Sequence, residues 1–366
     1  MDILSWGGQM VRIGIVGCGY WGSKHLRVFN ALPGSNVQAL CDGNAERLER
    51  AAGAYEPELA TTDIDEFLAG PIDAVVIATP ARTHFALAQA ALQADKHVLV
   101  EKPFTATSDE ALELVELADE RELTLMVGHT FVYNPAVLFL KELLDRRELG
   151  DLYYLNAARL NFGLLQPDVD VVWDLAPHDL SIILYLLENE PLAVGARGTA
   201  HVNPSLCEVA HMDLQFPKGI TAHIHLSWLD PCKVRRFTLV GSERMAIYDD
   251  MSPGEMIRIY NKQVKLTTSN GAPVYHPVEY ALGDTNIPYV ADQEPLRNEG
   301  DHFLHCIRTG ERPRSDGRAG LQVVRILETV EKSLYNGGAM EPLAPAPAVL
   351  CGNGRPGLVA KGETMS

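Results

Sequence analysis

An aspartate and a histidine stand four residues apart at the head of a strongly apolar run, WDLAPHDLSIILYLL. On a helix, Asp174 and His178 would lie on one face, one above the other, where a carboxylate and an imidazole can take a proton from a substrate. Proline is harmless in the first helical turn, because its missing N–H has no intrahelical partner there. The pattern therefore predicts an N-cap near Asp174, with Pro177 and His178 just after it. A capped helix whose histidine bonds only locally is the alternative.

The loop GCGYWG follows the strand-like run VRIGIV and precedes a helical pattern. Glycines at 17, 19 and 22 permit a tight turn, and they let a pyrophosphate approach the helix N-terminus, where N–H groups and the dipole favour an anion. Gly17, Gly19, Tyr20, Trp21 and Gly22 are therefore predicted to contact a dinucleotide. A glycine-rich turn without a ligand is the alternative.

An acid at the end of the next strand bears on which dinucleotide binds. Asp42 follows the glycine loop by about 20 residues, the spacing at which a carboxylate accepts from the adenosine ribose hydroxyls. Such an acid repels a 2′-phosphate, and its neighbours Gly43 and Asn44 supply no arginine to reverse that preference. The sequence thus predicts NAD, with NADP disfavoured.

Two further strand ends carry polar residues, in IATPARTH and in HVLVEKP. Ligands of open parallel sheets bind outside the carboxyl ends of the strands, so Thr79, Pro80 and His84 are predicted to line the cofactor cleft. Lys102 is placed to bind a substrate hydroxyl, lower its pKa and relay a proton, and Glu101 lies beside it. A locally bonded helix-start histidine and a plain EKP turn are the alternatives.

In this order the motifs resemble those of the glucose–fructose oxidoreductase, inositol dehydrogenase and MocA family of NAD(P)-dependent oxidoreductases. The resemblance runs from Val11 to about Gly338, and it includes LMVGHTFVYNP and NEGDHFLHCIRTGERPRSDGRAGLQVV. The EKP and DxxxH motifs are its specific marks, because GxGxxG is common to many families.

The resemblance implies roles for particular residues. The catalytic lysine of the family falls on Lys102, its active-site acid and base fall on Asp174 and His178, and Glu101 would face the nicotinamide ribose. The helix head would then project from a second domain into the cofactor cleft, where an alcohol carbon gives hydride to NAD. Pro177 and Ser181 depart from the common GxxxDxGxHxxD pattern of the family, which weakens the transfer of detailed substrate contacts.

The surrounding sequence predicts the elements that must position these residues. Short continuous apolar strands alternate with helical runs at first, which predicts a doubly wound α/β Rossmann domain over 10–130 with a parallel sheet. Longer runs rich in Val, Ile, Tyr and Thr follow, separated by turn signals. They predict an α+β domain over 131–340 with a large open, mostly antiparallel sheet. The Pro, Gly and Ala-rich segment 341–366 is predicted to be disordered.

A basic cluster in SWLDPCKVRRF bears on the substrate. Lys233, Arg235 and Arg236 could meet a diphosphate, although a solvated strand face with ordinary salt bridges is the alternative. Together with WDLAPHDLSII this stretch resembles family members that oxidise the 3-hydroxyl of a UDP-N-acetylhexosamine or of its uronic acid. Free cyclitols or aldoses are the alternative substrates. A non-catalytic dinucleotide-binding regulator is the alternative of another class.

Composition narrows the possible partners. The chain has 366 residues, enough for about two domains, and a formal charge of −17, which argues against nucleic acid or an anionic membrane surface. No apolar run has the length of a membrane span, and MDILSWGGQM lacks the basic region of a secretory signal. The cysteines lack the paired spacing of a metal or redox site, so no metal is predicted. A cytoplasmic homodimer or homotetramer joined through the open sheet is predicted.

Overall fold

The computed structural model describes residues 10–163, 165–166, 169–266 and 278–345. They form two compact units. Of the described residues, the first unit contains those in 10–130, 296–325 and 344–345, and the second contains those in 131–295 and 326–343.

The first unit contains a six-stranded parallel sheet in the order β3-β2-β1-β4-β5-β6, the strand order of a dinucleotide-binding fold. Its strands are β1 Val11–Val16, β2 Ser35–Cys41, β3 Leu59–Thr61, β4 Ala74–Ile77, β5 His97–Glu101 and β6 Leu125–Gly128. Its helices up to this point are α1 Tyr20–Ala31, α2 Ala45–Tyr55, α3 Ile64–Ala69, α4 His84–Gln93 and α5 Ser108–Glu120. The predicted doubly wound domain is confirmed.

The central strands of this sheet are apolar along their whole length because both faces are covered. The four residues of β4, AVVI, are all buried, and four of the five residues of β5 are buried. Side chains that accept backbone N–H groups start the following helices: Asn44 caps α2, Asp63 caps α3 and Thr107 caps α5. The short elements β3 and α3 lacked a periodic signal in the sequence.

Two helices from the far end of the chain complete the first unit, although the sequence analysis assigned them to the domain over 131–340. They are α8 Pro295–Thr309 and the first part of α9 Gly317–Tyr335. The apolar face of α8 packs on α1, with the rings of Phe29 and Phe303 6.4 Å apart. Arg308 Nη2 donates to the carbonyl of Gly34 at 2.6 Å. An amphipathic pattern shows that a helix has a buried face but not which domain covers it.

The second unit contains a nine-stranded sheet in the order β14-β13-β12-β11-β7-β10-β9-β8-β15. Among the described strands of this sheet, only β7 and β10 run parallel to each other, so the predicted mostly antiparallel sheet is confirmed. Its elements in chain order are α6 Pro135–Asp145, β7 Leu152–Phe162, α7 Val171–Leu187, β8 Ala193–Thr199, β9 Val209–Gln215, β10 Thr221–Ser227, β11 Leu229–Gly241, β12 Met245–Asp249, β13 Ile257–Leu266, β14 Val278–Asn286 and β15 Glu341–Pro342.

One face of this sheet is covered and the other is open. Leu155, Ala157 and Arg159 of β7 are buried, whereas Tyr154 and Phe162 are exposed. The buried side is packed by α7, which contacts β7, β9 and β10. This alternation is what a sheet with one solvated face requires.

The segment predicted to be disordered begins with ordered backbone. Residues 341–342 form β15, which pairs antiparallel with Val194 and Ala193 of β8. Backbone pairing at a sheet edge depends little on side-chain pattern, so the composition of this stretch did not reveal it. Residues 346–366 of that predicted tail lie outside the described residues.

Candidate active site

The glycine loop of the first unit is shaped for close approach of a ligand. Gly17 has φ +92°, and a Cβ there would come within 2.6 Å of the carbonyl oxygen of Ala78. A Cβ at Gly22 would lie 1.7 Å from the carbonyl oxygen of Gly17. A Cβ at Gly19 would meet nothing within 4 Å. Two glycines therefore make the tight turn possible, and the third faces open space at the helix N-terminus.

The head of α1 is suited to a phosphate. No side chain in the described part of the chain caps this helix end at Gly19, so the positive end of the helix remains available to an anion. Lys24 places its ammonium 4.2 Å from the ring centre of Tyr20 and 4.8 Å from that of Trp21. These features fit the pyrophosphate of a dinucleotide.

Asp42, predicted to contact the adenosine ribose, directly follows β2 at the carboxyl end of the parallel sheet. The residue is buried, and its carboxylate accepts from the backbone N–H groups of Cys18 at 2.7 Å and Asn44 at 2.8 Å. Arg47 Nη2 stands 3.4 Å from Asp42 Oδ1. This arginine is not a sequence neighbour of Asp42 as Gly43 and Asn44 are, and the first turn of α2 brings it back toward the acid.

His84, predicted to line the cleft, is buried and bonds to backbone. One ring nitrogen lies 2.7 Å from the carbonyl oxygen of Pro103 and the other 2.9 Å from that of Thr79. Burial lowers the pKa of His84 below its ordinary value. His84 thus ties the EKP turn to the Thr79 loop, whereas Thr79 itself is partly exposed and Pro80 is exposed.

The EKP turn carries a buried carboxylate–histidine contact that the sequence pattern did not indicate. Glu101 Oε1 lies 2.8 Å from His25 Nε2 of α1, and both side chains are buried. Burial opposes the ionisation of Glu101, but the hydrogen bond and charge of His25 outweigh it and hold its pKa below the ordinary value. The other oxygen accepts from the backbone N–H of Lys102 at 3.2 Å. Lys102, unlike Glu101, is partly exposed.

Two more buried titratable groups adjoin this turn. Thr130 Oγ1 donates to Glu299 Oε2 of α8 at 3.1 Å, whereas Glu299 Oε1 has no partner within the described residues. Burial and then the charge of Glu101 raise the pKa of Glu299 well above its ordinary value. Both ring nitrogens of His129 also lack a partner within the described ranges, and burial lowers its pKa to about 4. His129 therefore stays uncharged at neutral pH, and burial favours the protonated form of Glu299.

In the second unit, α7 begins one turn earlier than predicted. Its N-cap is Asp170, whose carboxylate accepts from the N–H groups of Val172 and Trp173, both at 3.0 Å. The predicted N-cap near Asp174 is wrong, because Asp170 satisfies these helix-start donors first. Pro177 consequently lies inside the helix, where it cannot donate to the carbonyl of Trp173.

Asp174 receives a hydrogen bond from a tryptophan far along the chain. Trp228 is fully buried, and its Nε1 donates to Asp174 Oδ2 at 3.2 Å. The motif SWLDP marked this tryptophan in the sequence, but nothing in the spacing linked it to Asp174. The bond fixes one carboxylate oxygen and leaves Asp174 partly exposed.

His178 packs edge-on against Phe131, with ring centres 5.0 Å apart. The guanidinium of Arg159 lies 4.5 Å from the same phenyl ring, and that of Arg235 lies 5.5 Å from it. Arg159 is neutralised by a buried, forked pair with Asp179, in which Nη2 lies 2.8 Å from Oδ1. The predicted base His178 and the cations Arg159 and Arg235 thus all lie against the ring of Phe131.

Comparison with known protein families decides the kind of protein. Residues 11–129 match the oxidoreductase family with the NAD-binding Rossmann fold, and residues 137–247 match the GFO/IDH/MocA C-terminal domain. The chain belongs to the GFO/IDH/MocA family of oxidoreductases. The resemblance predicted from the motifs is confirmed, and NAD is the cofactor of this enzyme. A role as a non-catalytic regulator is set aside.

Relatives within the family act on different sugars and polyols. The UDP-N-acetylglucosamine 3-dehydrogenase of Acidithiobacillus ferrooxidans is 32% identical over 86% of this chain and 94% of its own length. Its solved structure gives a TM-score of 0.74 at 31% identity and covers 89% of this chain and 98% of that chain. The inositol 2-dehydrogenase of Rhizobium meliloti is 24% identical over 88% of this chain and 97% of its own length.

A further solved structure, GenD2 from gentamicin A biosynthesis in complex with NAD, shares the fold. Its TM-score is 0.77 at 23% identity, and the match covers 92% of this chain and 97% of that chain. None of the helices in the described ranges is both long and apolar enough to cross a membrane. Lys102 belongs to the first unit, and Asp174 and His178 belong to the second.

Proposed function

We propose that this enzyme oxidises the 3-hydroxyl of a UDP-linked N-acetylhexosamine, or of the corresponding uronic acid, with NAD. The observation that carries the proposal is the position of Arg235 beside Phe131, the ring that also packs on His178. A cation next to the acid–base histidine suits a substrate with an anionic group close to the reacting carbon. The similarity to a UDP-N-acetylglucosamine 3-dehydrogenase supports the same substrate class.

The chemistry needs a hydride acceptor and a proton acceptor. Gly17, Gly19 and Gly22 would hold NAD, which would supply the hydride acceptor. His178 takes the hydroxyl proton, Lys102 binds the hydroxyl oxygen and stabilises its developing negative charge, and Asp174 holds a neighbouring hydroxyl. Positioned acid–base groups of this kind contribute about 10²–10⁴-fold to the rate. The bond from Trp228 restricts the carboxylate of Asp174, which preorganises it for that contact.

Arg235 has binding capacity left for a substrate. Its Nη1 lies 3.2 Å from Asp250 Oδ2, its only ion-pair contact among the described residues, and 34% of the side chain is exposed. Asp250 also accepts from the hydroxyl of Tyr248 at 2.9 Å. The carboxylate is therefore shared, and the remaining guanidinium donors suit a phosphate or carboxylate.

The neighbouring arginine provides a matched control. Arg235 pairs across the sheet with Arg159, on the side covered by α7, whereas Arg236 pairs with Ala158 and so points to the opposite face. Arg236 Nη2 lies 2.7 Å from Asp249, a buried carboxylate. Arg236 therefore fits the hypothesis of an ordinary salt bridge, whereas Arg235 fits the hypothesis of a substrate-binding cation.

The test compares a UDP-N-acetylhexosamine, the free N-acetylhexosamine and myo-inositol at one NAD concentration, in wild type, Arg235→Ala and Arg236→Ala. Loss of a charge pair with an anionic substrate costs about tenfold or more in kcat/KM, so we expect that loss for Arg235→Ala with the nucleotide sugar alone. Arg236→Ala should stay within about threefold. Equal rates on the free sugar, or no effect of Arg235→Ala, would move the assignment to a cyclitol or an aldose.

We also propose a cytoplasmic homo-oligomer that pairs through the open sheet face. Exposed apolar side chains on that face, including Phe162 and Tyr154, support pairing, since large exposed apolar patches mark association sites. The cysteines of the described ranges are free thiols, as expected in a reducing compartment. Light scattering on wild type and Phe162→Asp checks the oligomer: we expect the mass of the variant to fall toward that of one chain.

A further inference from the structure

The carboxylate of Asp42 already has three hydrogen-bond or ion-pair partners within the protein. Two backbone N–H groups donate to it, from Cys18 to Oδ2 at 2.7 Å and from Asn44 to Oδ1 at 2.8 Å. Arg47 Nη2 adds a third contact, 3.4 Å from Oδ1. Much of the negative potential that Asp42 would present to a ligand is therefore compensated within the protein.

The backbone of Arg47 is fixed by a hydrogen bond, whereas its side chain is accessible to solvent. Its backbone N–H donates to the side chain of Asn44, the N-cap of α2, at 2.9 Å. Its side chain is 53% exposed, and Asp42 is its only ion-pair partner among the described residues. The first turn of α2 thus directs an accessible guanidinium over the acid that selects the cofactor.

The two side chains have opposite preferences at the same ribose oxygen. A carboxylate accepts from a 2′-hydroxyl and repels a 2′-phosphate, whereas an arginine nearby accommodates a 2′-phosphate. A planar guanidinium can bind phosphate through two parallel N–H···O bonds. Because Arg47 stands 3.4 Å from the acid, a phosphate that replaced the carboxylate as its partner would be within its reach.

We propose that Arg47 is a binding group for the 2′-phosphate of an adenosine dinucleotide. In the wild-type protein, its pair with Asp42 holds the guanidinium on the carboxylate instead. The preference of this enzyme for NAD then rests on one carboxylate. Removal of that charge not only ends the repulsion of NADP but also releases a guanidinium already in place. The inference concerns the cofactor alone and does not depend on which sugar is oxidised.

The test uses ligands without a nicotinamide ring, so that catalysis plays no part. ADP-ribose and 2′-phospho-ADP-ribose are titrated by calorimetry into wild type, Asp42→Asn, Arg47→Ala and the double variant. We expect wild type to favour ADP-ribose and Asp42→Asn to favour 2′-phospho-ADP-ribose, with at least a tenfold gain in affinity for the latter. The double variant should lose that gain. Asparagine keeps an oxygen acceptor for one of the two backbone N–H groups, so retained binding of ADP-ribose by Asp42→Asn is the check that the loop is preserved.

Two further variants keep the result decisive. Arg50 lies on α2, is exposed like Arg47 and forms no ion pair among the described residues, so Arg50→Ala combined with Asp42→Asn should retain the gain. Arg47→Ala alone should weaken 2′-phospho-ADP-ribose severalfold and leave ADP-ribose within twofold. If the double variant binds 2′-phospho-ADP-ribose as tightly as Asp42→Asn does, or if Asp42→Asn still favours ADP-ribose, the proposal is wrong.

Discussion

The EKP turn of the first unit and the head of α7 in the second carry the proposed catalytic residues in different ways. Lys102 follows a strand whose last residue, Glu101, is buried in a pair with His25. Asp174 and His178 instead depend on Trp228 and Phe131, side chains distant from them in sequence. The first arrangement comes from strand topology and a buried charge. The second comes from packing between a helix and residues outside it.

Because of this difference, we expect the two regions to tolerate substitutions to different degrees. The position of Lys102 is set mainly by the end of β5 and by backbone contacts, such as the bond between its own N–H and Glu101. The α7 head includes side-chain contacts with residues distant in sequence, so we expect that one substitution can loosen it without unfolding the sheet. We therefore expect the two regions to respond differently when individual groups are removed.

The largest expected effect comes from the proposed acid–base groups. Lys102→Ala and His178→Asn should each lower kcat at least about a hundredfold, because loss of a positioned acid–base group is of that order. NAD binding, followed by calorimetry, should persist in both variants. Near-normal turnover of His178→Asn would mean that the histidine only packs against Phe131. A loss confined to NAD affinity in Lys102→Ala would make the lysine a cofactor contact.

An intermediate effect is expected when the support of Asp174 is removed. Trp228→Phe deletes the N–H donor but keeps a large buried ring, and a hydrogen bond to a charged group contributes about 1.5–3 kcal/mol. We expect kcat to fall about tenfold with NAD affinity nearly unchanged, and the melting temperature to fall by a few degrees because a fully buried ring is made smaller. An unchanged kcat with a raised KM would show a binding role instead. Trp173→Phe, which removes the indole bond to Glu331, is the matched control.

The last expected effect is on the acid stability of the first unit and not on a catalytic rate. The pKa of His129 falls from 6.5 to about 4 in the folded protein, so the unfolded chain takes up a proton in that interval before the native state does. Stability should therefore fall as pH drops from 6.5 toward 4, by about 2 kcal/mol between pH 7 and 5 for this group. His129→Phe cannot titrate, and chemical denaturation at both pH values should show a shallower decline. An unchanged slope would contradict the burial of a neutral imidazole.

The sequence could indicate the residues whose positions depend on local order. Gly17, Asp42 and Lys102 each follow a buried apolar strand, and parallel strands bring their carboxyl ends to one edge. Local pattern therefore sufficed for the nucleotide-binding sheet and for the open sheet of the second unit. Their roles at the site remain predictions.

Residues whose importance depends on tertiary contact were not visible in the sequence. From the sequence alone, His25 is one polar position of α1. Its contact with Glu101 exists only in the folded protein. Arg47 could not be recognised among the immediate sequence neighbours of Asp42, because the first turn of α2 brings this later residue back to the acid. Asp170 capped α7 earlier than expected because two acids were available and spacing alone did not rank them.

The first unit is interrupted in sequence by most of the second, and this has a consequence during synthesis. Gly34 bonds to Arg308, which lies 274 residues further along the chain. At about 5–20 residues per second, a ribosome delivers that partner roughly 15 to 55 seconds later. The face of α1 that α8 covers is therefore exposed to solvent throughout that interval. Chaperones have time to meet the nascent nucleotide-binding domain before its own last helices exist.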